Sequence, residues 1–129
     1  GELARSQFAR GADVVFAAAG PTGNGVLQAA ADTGNFAIGV DSNQNHLQPG
    51  SVLTSMLKRV DVAVYDAMRQ AQSGEWKAGV QVLDLASDGV AYSVDEHNKD
   101  LLSSEMIDAV EQVRAAIISG EVEVPSTLN

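Results

Sequence analysis

The sequence predicts an α/β fold in which a parallel sheet is flanked by helices. Two short apolar segments, residues 13–19 and 36–40, are bounded by glycine or polar residues, as strands buried on both faces are. A segment with helical periodicity, residues 26–33, lies between them. A helix between two such strands makes a βαβ unit, which requires a parallel strand pair and a right-handed crossover.

The remaining elements follow from apolar patterning and from residues that start or stop helices. Three further strands are predicted at residues 51–54, 79–85 and 89–94. The last two are joined through a turn of the hairpin type at residues 87–89. Three further helices are predicted: residues 2–10, residues 56–73, and a final helix that Ser103 caps and Gly120 ends.

Composition limits both the architecture and the partners. The chain has 129 residues and a formal net charge of −9, with 45% hydrophobic residues. This length suits one domain of about 100–200 residues. The excess of carboxylates, without any Lys/Arg run, disfavours nucleic acid and anionic membranes as partners. The absence of cysteine excludes disulfides, zinc–thiolate sites and thiol catalysis.

The predicted helix at residues 56–73 is apolar over more than one face. Its apolar side chains are Met56, Leu57, Val60, Val62, Val64, Tyr65 and Met68. Leaving three or four of them in water would cost several kcal/mol, at about 1.5–3 kcal/mol each. Either this domain covers both sides, or part of the covering surface comes from another chain or a missing part of a larger protein. We favour the second interpretation. The first helix, which begins at residue 1 without a cap, also suggests a chain cut inside a larger protein.

A glycine-rich turn at residues 20–25 lies where open α/β sheets bind ligands, between the end of a strand and the start of a helix. Its order, G-x-x-G-x-G, differs from the dinucleotide fingerprint G-x-G-x-x-G. No Lys-Ser/Thr pair follows it, which excludes a phosphate-binding P-loop. These glycines either serve a ligand or only allow a tight turn.

Two charged residues are predicted to face the same crevice. Asp41 ends a buried strand at the carboxyl edge of the sheet, where a carboxylate can accept hydrogen bonds from a vicinal diol. Alternatively, Asp41 caps the turn that follows it. Lys58 and Arg59 fall in the first turn of the predicted helix, where cations are unfavourable, so at least one of them is expected to serve another purpose. A solvated surface pair is the alternative.

The other polar candidates are predicted to be loop residues. His46 and His97 have no partner at metal-ligand spacing, and Asp84 and Asp88 lie beside a predicted turn. No serine has the G-x-S-x-G context of a hydrolase. We therefore expect no catalytic residues, no metal and no cofactor.

Several ordered segments resemble the basic membrane protein family, the substrate-binding lipoproteins of ABC transporters that include purine nucleoside receptors. These segments are residues 11–20, 22–26, 38–42 with Gln44, 53–60 and 118–125. The resemblance runs over nearly the whole chain and corresponds to the C-terminal portion of a typical member. It implies a partial type I periplasmic-binding-protein fold, mostly the C-terminal lobe.

The resemblance also implies a domain layout and a binding site. Residues 1–55 and 79–122 would belong to the C-terminal lobe, residues 56–78 to a crossing and a helix of the other lobe, and residues 123–129 to a tail. Asp41 would hold the ribose hydroxyls, Lys58 would reach the ligand, and Gly20 with Phe16 would border the base. Asn43 and Asn45 depart from an often more acidic stretch of the family.

The function implied by the resemblance is that of a solute-binding protein, with no enzymatic activity. A nucleoside-like ligand would lie between two lobes and be delivered to an ABC permease by an extracytoplasmic, membrane-anchored lipoprotein. The isolated chain is expected to bind ligand weakly or not at all, and to self-associate through the helix at residues 56–73. The alternatives are a small α/β enzyme domain that binds a nucleotide cofactor and a flavodoxin-like signalling domain, although the latter lacks acids at the end of its first strand.

Overall fold

The computed structural model describes residues 1–125, which fold into one sheet with helices on both faces. Its strands are β1 (Val14–Phe16), β2 (Phe36–Asp41), β3 (Val52–Lys58) and β4 (Val90–Tyr92). Its α-helices are α1 (Glu2–Ala9), α2 (Asn24–Thr33), α3 (Val60–Ser73) and α4 (Ser104–Ser119). Two short 3-10 helices occupy Gly20–Gly23 and Asn45–Leu47. The predicted tail at residues 123–129 lies partly outside the described residues.

The strands are arranged in the order β1-β2-β3-β4, which is mostly parallel. β1 pairs with β2 and β2 with β3 in parallel, whereas β3 and β4 are antiparallel. The predicted βαβ unit, β1-α2-β2, and the predicted α/β class are therefore confirmed. Because β1, β2 and β3 run in the same direction, their carboxyl ends meet at one edge of the sheet.

The buried core lies between the sheet and the helices α1 and α2. Its members are small or aliphatic, apart from one phenylalanine: Ala4, Phe8, Ala17, Leu27, Ala29, Ala30, Ala37 and Val52. The alanines carry no side chain beyond Cβ, so the helix backbones can approach the strands closely. This tight core fixes β1 and β2, whose ends carry two of the predicted site residues.

Helix α4 covers the opposite face more loosely, and none of its residues is buried. Ser103 caps it as predicted, because the Ser103 hydroxyl accepts a hydrogen bond from the Met106 amide at 3.2 Å. Between α4 and the strands lies an apolar groove of about 480 Å³ whose lining includes Met56, Tyr92 and Val113. This helix therefore rests on the sheet through a partly open interface.

The predicted start of the helix at residues 56–73 is wrong. β3 extends to Lys58, so the helix begins at Val60 instead of residue 56. The reason is tertiary: Met56 and Leu57 pair with Tyr92 and Ala91 of β4. This pairing satisfies the backbone hydrogen bonds of residues that are otherwise compatible with a helix.

The predicted strand at residues 79–85 does not form, and β4 pairs with β3 instead of making a hairpin. Val80 and Val82 are 95% and 82% exposed. An alternating valine pattern is not sufficient for a strand when no neighbouring edge supplies the backbone hydrogen bonds.

Helix α3 confirms the prediction of an uncovered apolar helix. None of its residues is buried, and Val60, Val64, Tyr65 and Met68 are between 48% and 69% exposed. Trp76, in the segment that follows, is 52% exposed. Residues 1–125 thus do not cover this helix on both sides, and that interpretation is wrong.

Candidate functional site

The predicted ligand-binding residues lie along the carboxyl edge of the sheet. β1 ends at Phe16, β2 at Asp41 and β3 at Lys58, while Gly20 begins the 3-10 helix that connects β1 to α2. We call these four residues the carboxyl-edge site. This edge is where open α/β sheets bind ligands, because loops diverge there and leave a crevice.

Asp41 and Lys58 are brought into direct contact. The Lys58 Nζ lies 2.9 Å from Asp41 Oδ1, and their side chains are 62% and 52% exposed. The contact follows from the register, since Asp41 pairs with Leu57, the residue before Lys58. Lys58 is the last residue of β3, so the prediction that it lies in the first turn of a helix is wrong, and its charge does not oppose a helix dipole.

Arg59 follows Lys58 in the sequence but contacts a different carboxylate. It is the residue before α3, and its guanidinium Nη2 donates to Asp61 Oδ2 at 2.9 Å. This hydrogen bond raises the pKa of Arg59 and lowers the pKa of Asp61. The first turn of α3 therefore contains an acidic residue, Asp61, which interacts favourably with the helix dipole. Of the two adjacent cations, Lys58 is the one that belongs to the carboxyl-edge site.

The backbone at Asp41 forms a strained turn. Its φ is +69°, and the Ser42 amide donates to the Val40 carbonyl at 2.8 Å, closing a three-residue turn around it. Turns of this kind with a positive central φ are rare and strained for residues other than glycine. Within residues 1–125 the Asp41 carboxylate accepts no hydrogen bond from the turn that follows, so its predicted alternative role as a cap is not observed.

Phe16 and Gly20 lie at the same edge without joining the ion pair. Phe16 is 53% exposed, so it is not a core residue, and it pairs with Ile38, three residues before Asp41. Gly20 has a φ of +52°, and a Cβ built there would meet nothing within 4 Å. The glycine turn thus needs Gly20 for its backbone conformation and leaves open space beside it.

A buried polar network beneath this edge was not predicted from the sequence. Its buried members are Asn45, Ser55, Ser93 and Asn98. Ser55 Oγ donates to Asn45 Oδ1 at 2.8 Å, and Asn98 Nδ2 donates to the Ser93 carbonyl at 2.9 Å. Every buried side-chain polar atom in residues 1–125 has a partner. The network joins the loop after β2 to the segment after β4.

Asp95 connects this network to the loop that follows Asp41. Its Oδ2 accepts hydrogen bonds from Asn43 Nδ2 at 2.6 Å and Asn45 Nδ2 at 3.0 Å, and its Oδ1 accepts one from the His97 amide. The Asn43 hydrogen bond is the main cause of a lowered Asp95 pKa. Carboxylates at positions 43 and 45 would repel Asp95, which explains the two asparagines. The polar residues 42–45 can be recognised in the sequence, but Asp95, the hydrogen-bond partner of two of them, lies about 50 residues later.

Of the other polar candidates, Asp84, Asp88 and His97 lie in turns and loops, as expected, whereas His46 lies in the 3-10 helix Asn45–Leu47. Asp84 Oδ1 accepts hydrogen bonds from the Ala86 and Ser87 amides, and the Ser87 contacts lower the Asp84 pKa. Asp88 has a φ of +56° and accepts a hydrogen bond from Arg114. His46 and His97 have ring centroids 6.4 Å apart. In the described part of the chain, no group of three or more His, Cys, Asp or Glu residues could hold a metal.

Comparison with known proteins decides the family. The family model described as "Bmp: ABC transporter substrate-binding protein PnrA-like" matches residues 1–127. The chain belongs to the Bmp family. The predicted resemblance to basic membrane proteins is thereby confirmed, and the Bmp family is one of substrate-binding proteins of ABC transporters.

Curated relatives of this Bmp-family chain agree. It is 34% identical to a CD4+ T-cell-stimulating antigen of Listeria monocytogenes, over 96% of this chain and 39% of that protein. It is 32% identical to basic membrane protein D of Borreliella burgdorferi, over 95% of this chain and 37% of that protein. The chain therefore spans about two-fifths of the length of these relatives.

Solved structures support the same fold. A crystal structure of ABC transporter system solute-binding proteins from Aeropyrum pernix K1 matches with a TM-score of 0.77 and 26% identity, covering 99% of this chain and 44% of that one. A structure titled as a transcriptional activator of the comK gene from Bacillus halodurans matches with a TM-score of 0.81 at 23% identity, covering 91% of this chain and 40% of that one. The latter likeness concerns the fold alone.

Two findings bear on the membrane. Another relative is named a lipoprotein of Pyrococcus abyssi and is 38% identical over 64% of this chain. Among the residues that the structure describes, no helix is both long enough and apolar enough to cross a bilayer. Lipoproteins are thus among the named relatives of this chain.

Proposed function

We propose that this chain supplies most of the C-terminal lobe of a nucleoside receptor that serves an ABC permease. Residues 1–55 and 79–122 form this lobe together with residues 56–58, which complete β3, and the rest of residues 56–78 forms a crossing and a helix that pack on the other lobe. The nucleoside binds in the cleft between the two lobes, with the carboxyl-edge site as one wall. The protein is an extracytoplasmic lipoprotein, and no covalent chemistry is involved.

The observation that carries this proposal is the contact between Asp41 and Lys58. Exposed ion pairs contribute only about 0–1 kcal/mol to stability, so folding gives little reason to keep one at a strained turn. A carboxylate has two oxygens with about four acceptor positions, and the Lys58 contact at Oδ1 does not use them all. The free positions suit the two adjacent hydroxyls of a ribose, each bond to a charged acceptor contributing about 1.5–3 kcal/mol.

Phe16 and Gly20 supply the surface for the base. A half-exposed phenylalanine at the end of β1 offers an aromatic face, and base–aromatic stacking contributes about 1–3 kcal/mol per base in proteins that bind single-stranded nucleic acid. Gly20, with open space where a side chain would stand, leaves room for a flat ring to approach the backbone. These features support a ligand that combines an aromatic base with a vicinal diol.

The exposed apolar surface of α3 supports a second lobe. Its exposed residues Val60, Val64, Tyr65 and Met68 are too large a set to leave in water without cost. The relatives are more than twice as long as this chain, which provides the additional sequence for such a lobe. When this chain stands alone, the same surface pairs with that of a second copy.

The decisive experiment is calorimetry on the full-length protein with adenosine, guanosine and inosine. We expect measurable binding by the wild type and a loss of at least roughly tenfold in affinity for Asp41→Ala, because two hydroxyl hydrogen bonds to a charged group disappear. The matched control is Asp32→Ala, which removes another half-exposed carboxylate paired with an arginine, Arg5, away from the carboxyl edge. It should bind as the wild type does.

Two results would contradict the proposal. If the wild-type protein binds no nucleoside, the proposed class of ligand is wrong. Unchanged affinity in Asp41→Ala, with circular dichroism showing an intact fold, would remove Asp41 from the site. Titrating ribose and free bases alongside the nucleosides distinguishes recognition of the sugar from recognition of the base.

A further inference from the structure

The strained turn at Asp41 is held from both sides by hydrogen bonds. On the strand side, the Val40 amide donates to Gln44 Oε1 at 2.9 Å. On the loop side, the Gln44 amide donates to Ser55 Oγ at 3.0 Å. A backbone in a sparsely populated conformation persists only where its surroundings determine it strongly. The loop at residues 42–48 therefore has to be fixed for Asp41 to keep its orientation.

The outer anchor of that loop is a single carboxylate from a distant segment. Asp95 Oδ2 accepts from both Asn43 and Asn45, at 2.6 and 3.0 Å. Asp95 is itself fixed, because its amide donates to Asn98 Oδ1 at 2.8 Å and Asn98 is buried. Bonds to an ionised acceptor are about twice as strong as neutral ones. Ser55 Oγ also donates to Asn45 Oδ1, at 2.8 Å, but among residues 1–125 Asp95 alone accepts hydrogen bonds from both the Asn43 and the Asn45 side chains.

We infer that Asp95 is a positioning residue for ligand recognition: it clamps the loop after β2 and thereby orients Asp41 toward the ligand. This inference rests on the proposed function, since Asp41 is the residue that contacts the ribose there. Asp95 itself does not contact the ligand. Its effect is therefore expected to be specific to what Asp41 recognises, the pair of ribose hydroxyls.

The first test compares Asp95→Asn with wild type in the full-length protein, using guanosine and 2′-deoxyguanosine. An asparagine of the same shape offers one oxygen instead of two, so either the two loop donors or the His97 amide lose their acceptor. We expect affinity for guanosine to fall roughly tenfold and affinity for 2′-deoxyguanosine to fall much less. A purely structural role would reduce both affinities equally.

The control is Thr54→Val, which removes the hydrogen bond from Thr54 Oγ1 to the Ser93 carbonyl at 2.8 Å. It weakens the same β3–β4 region without touching the loop at residues 42–48. It should lower thermal stability yet preserve the ratio of the two affinities. In the Asp41→Ala background, Asp95→Asn should cost little further affinity, because residues that act through one another are not additive.

Hydrogen exchange on the ligand-free protein supplies a readout that does not depend on nucleosides. The Gln44 and Asn45 amides should exchange faster in Asp95→Asn, while those of the β1–β2 pair remain unchanged. Unchanged exchange at the loop would overturn the clamp, as would equal losses for the two nucleosides. If wild type binds no nucleoside, the proposed function fails and the ligand role of Asp95 fails with it, while the exchange result still decides whether the clamp exists.

Discussion

At the scale of single residues, the placement of Asp41 contributes little to folding. It combines a φ of +69° with a half-exposed ion pair to Lys58. The backbone term is unfavourable for a residue with a Cβ, and the exposed ion pair returns at most about 1 kcal/mol. Residues held in such conformations cluster at functional sites, where the strained backbone holds a side chain in the orientation that the function needs.

Substituting Asp41 should consequently separate stability from binding. Asp41→Gly should be as stable as wild type within about 1 kcal/mol, since glycine adopts a positive φ without strain. Asp41→Ala should be less stable than Asp41→Gly by about 1 kcal/mol, because both variants lose the ion pair but only alanine keeps the strain of a positive φ. Urea unfolding measures both. An alanine variant as stable as the glycine variant would show that the turn is not strained.

At the scale of elements, the β2–β3 pair and the loop between them form the framework of the site. Gly39 lies at the centre of β2, beside the Ser55 and Gln44 side chains that fix the loop. A Cβ at Gly39 would stand 2.7 Å from Ser55 Oγ and 2.8 Å from Gln44 Oε1. The strand therefore needs glycine for close approach, although its φ is not positive.

Gly39→Ala is expected to destabilise the protein by about 1–3 kcal/mol, the usual cost of overpacking. The control, Gly25→Ala, adds the same methyl group in α2, where the nearest atom outside the backbone of that helix is the Gly1 nitrogen, at 3.0 Å. Only one atom comes this close, and alanine favours a helix, so this variant should be less destabilising than Gly39→Ala. Thermal unfolding of the two variants measures the difference, and equal stability would contradict the close packing around Gly39.

At the scale of the whole molecule, the apolar surface is divided unequally. The face covered by α1 and α2 has a tight core, whereas α3 and the valines at residues 80 and 82 are exposed. Isolated soluble proteins rarely keep large contiguous apolar patches open to water. These exposed apolar residues are the surface that we propose a second lobe or a second copy covers.

The 129-residue chain by itself should self-associate through α3. We expect light scattering to report a mass above 13.4 kDa that increases with concentration. A double variant, Tyr65→Lys with Met68→Lys, should shift the chain toward monomer by placing like charges in the contact. The control, Leu3→Lys, changes another residue that is 83% exposed but lies on α1. A monomer at high wild-type concentration would contradict the proposal.

Local patterns were sufficient for much of the fold and for part of the candidate site. The glycine-bounded apolar segments located β1 and β2, and the strand-ending Asp41 located the carboxyl edge. Lys58 was expected at the same crevice but on a helix, because nothing nearby in sequence reveals that β4 pairs with residues 56–58. Asp95 could not be found at all, since its partners Asn43 and Asn45 lie about 50 residues earlier.

The sequence by itself determined the α/β class, the direction of the first two strands, the cap at Ser103 and the uncovered helix. These depend on interactions between near neighbours, which periodicity and helix-end residues express directly. Only the tertiary structure decided where β3 ends, which strand pairs with β4, and what fixes the loop beside Asp41. Those outcomes depend on backbone and side-chain groups that meet across the fold, and a buried donor takes whichever acceptor the folded chain brings to it.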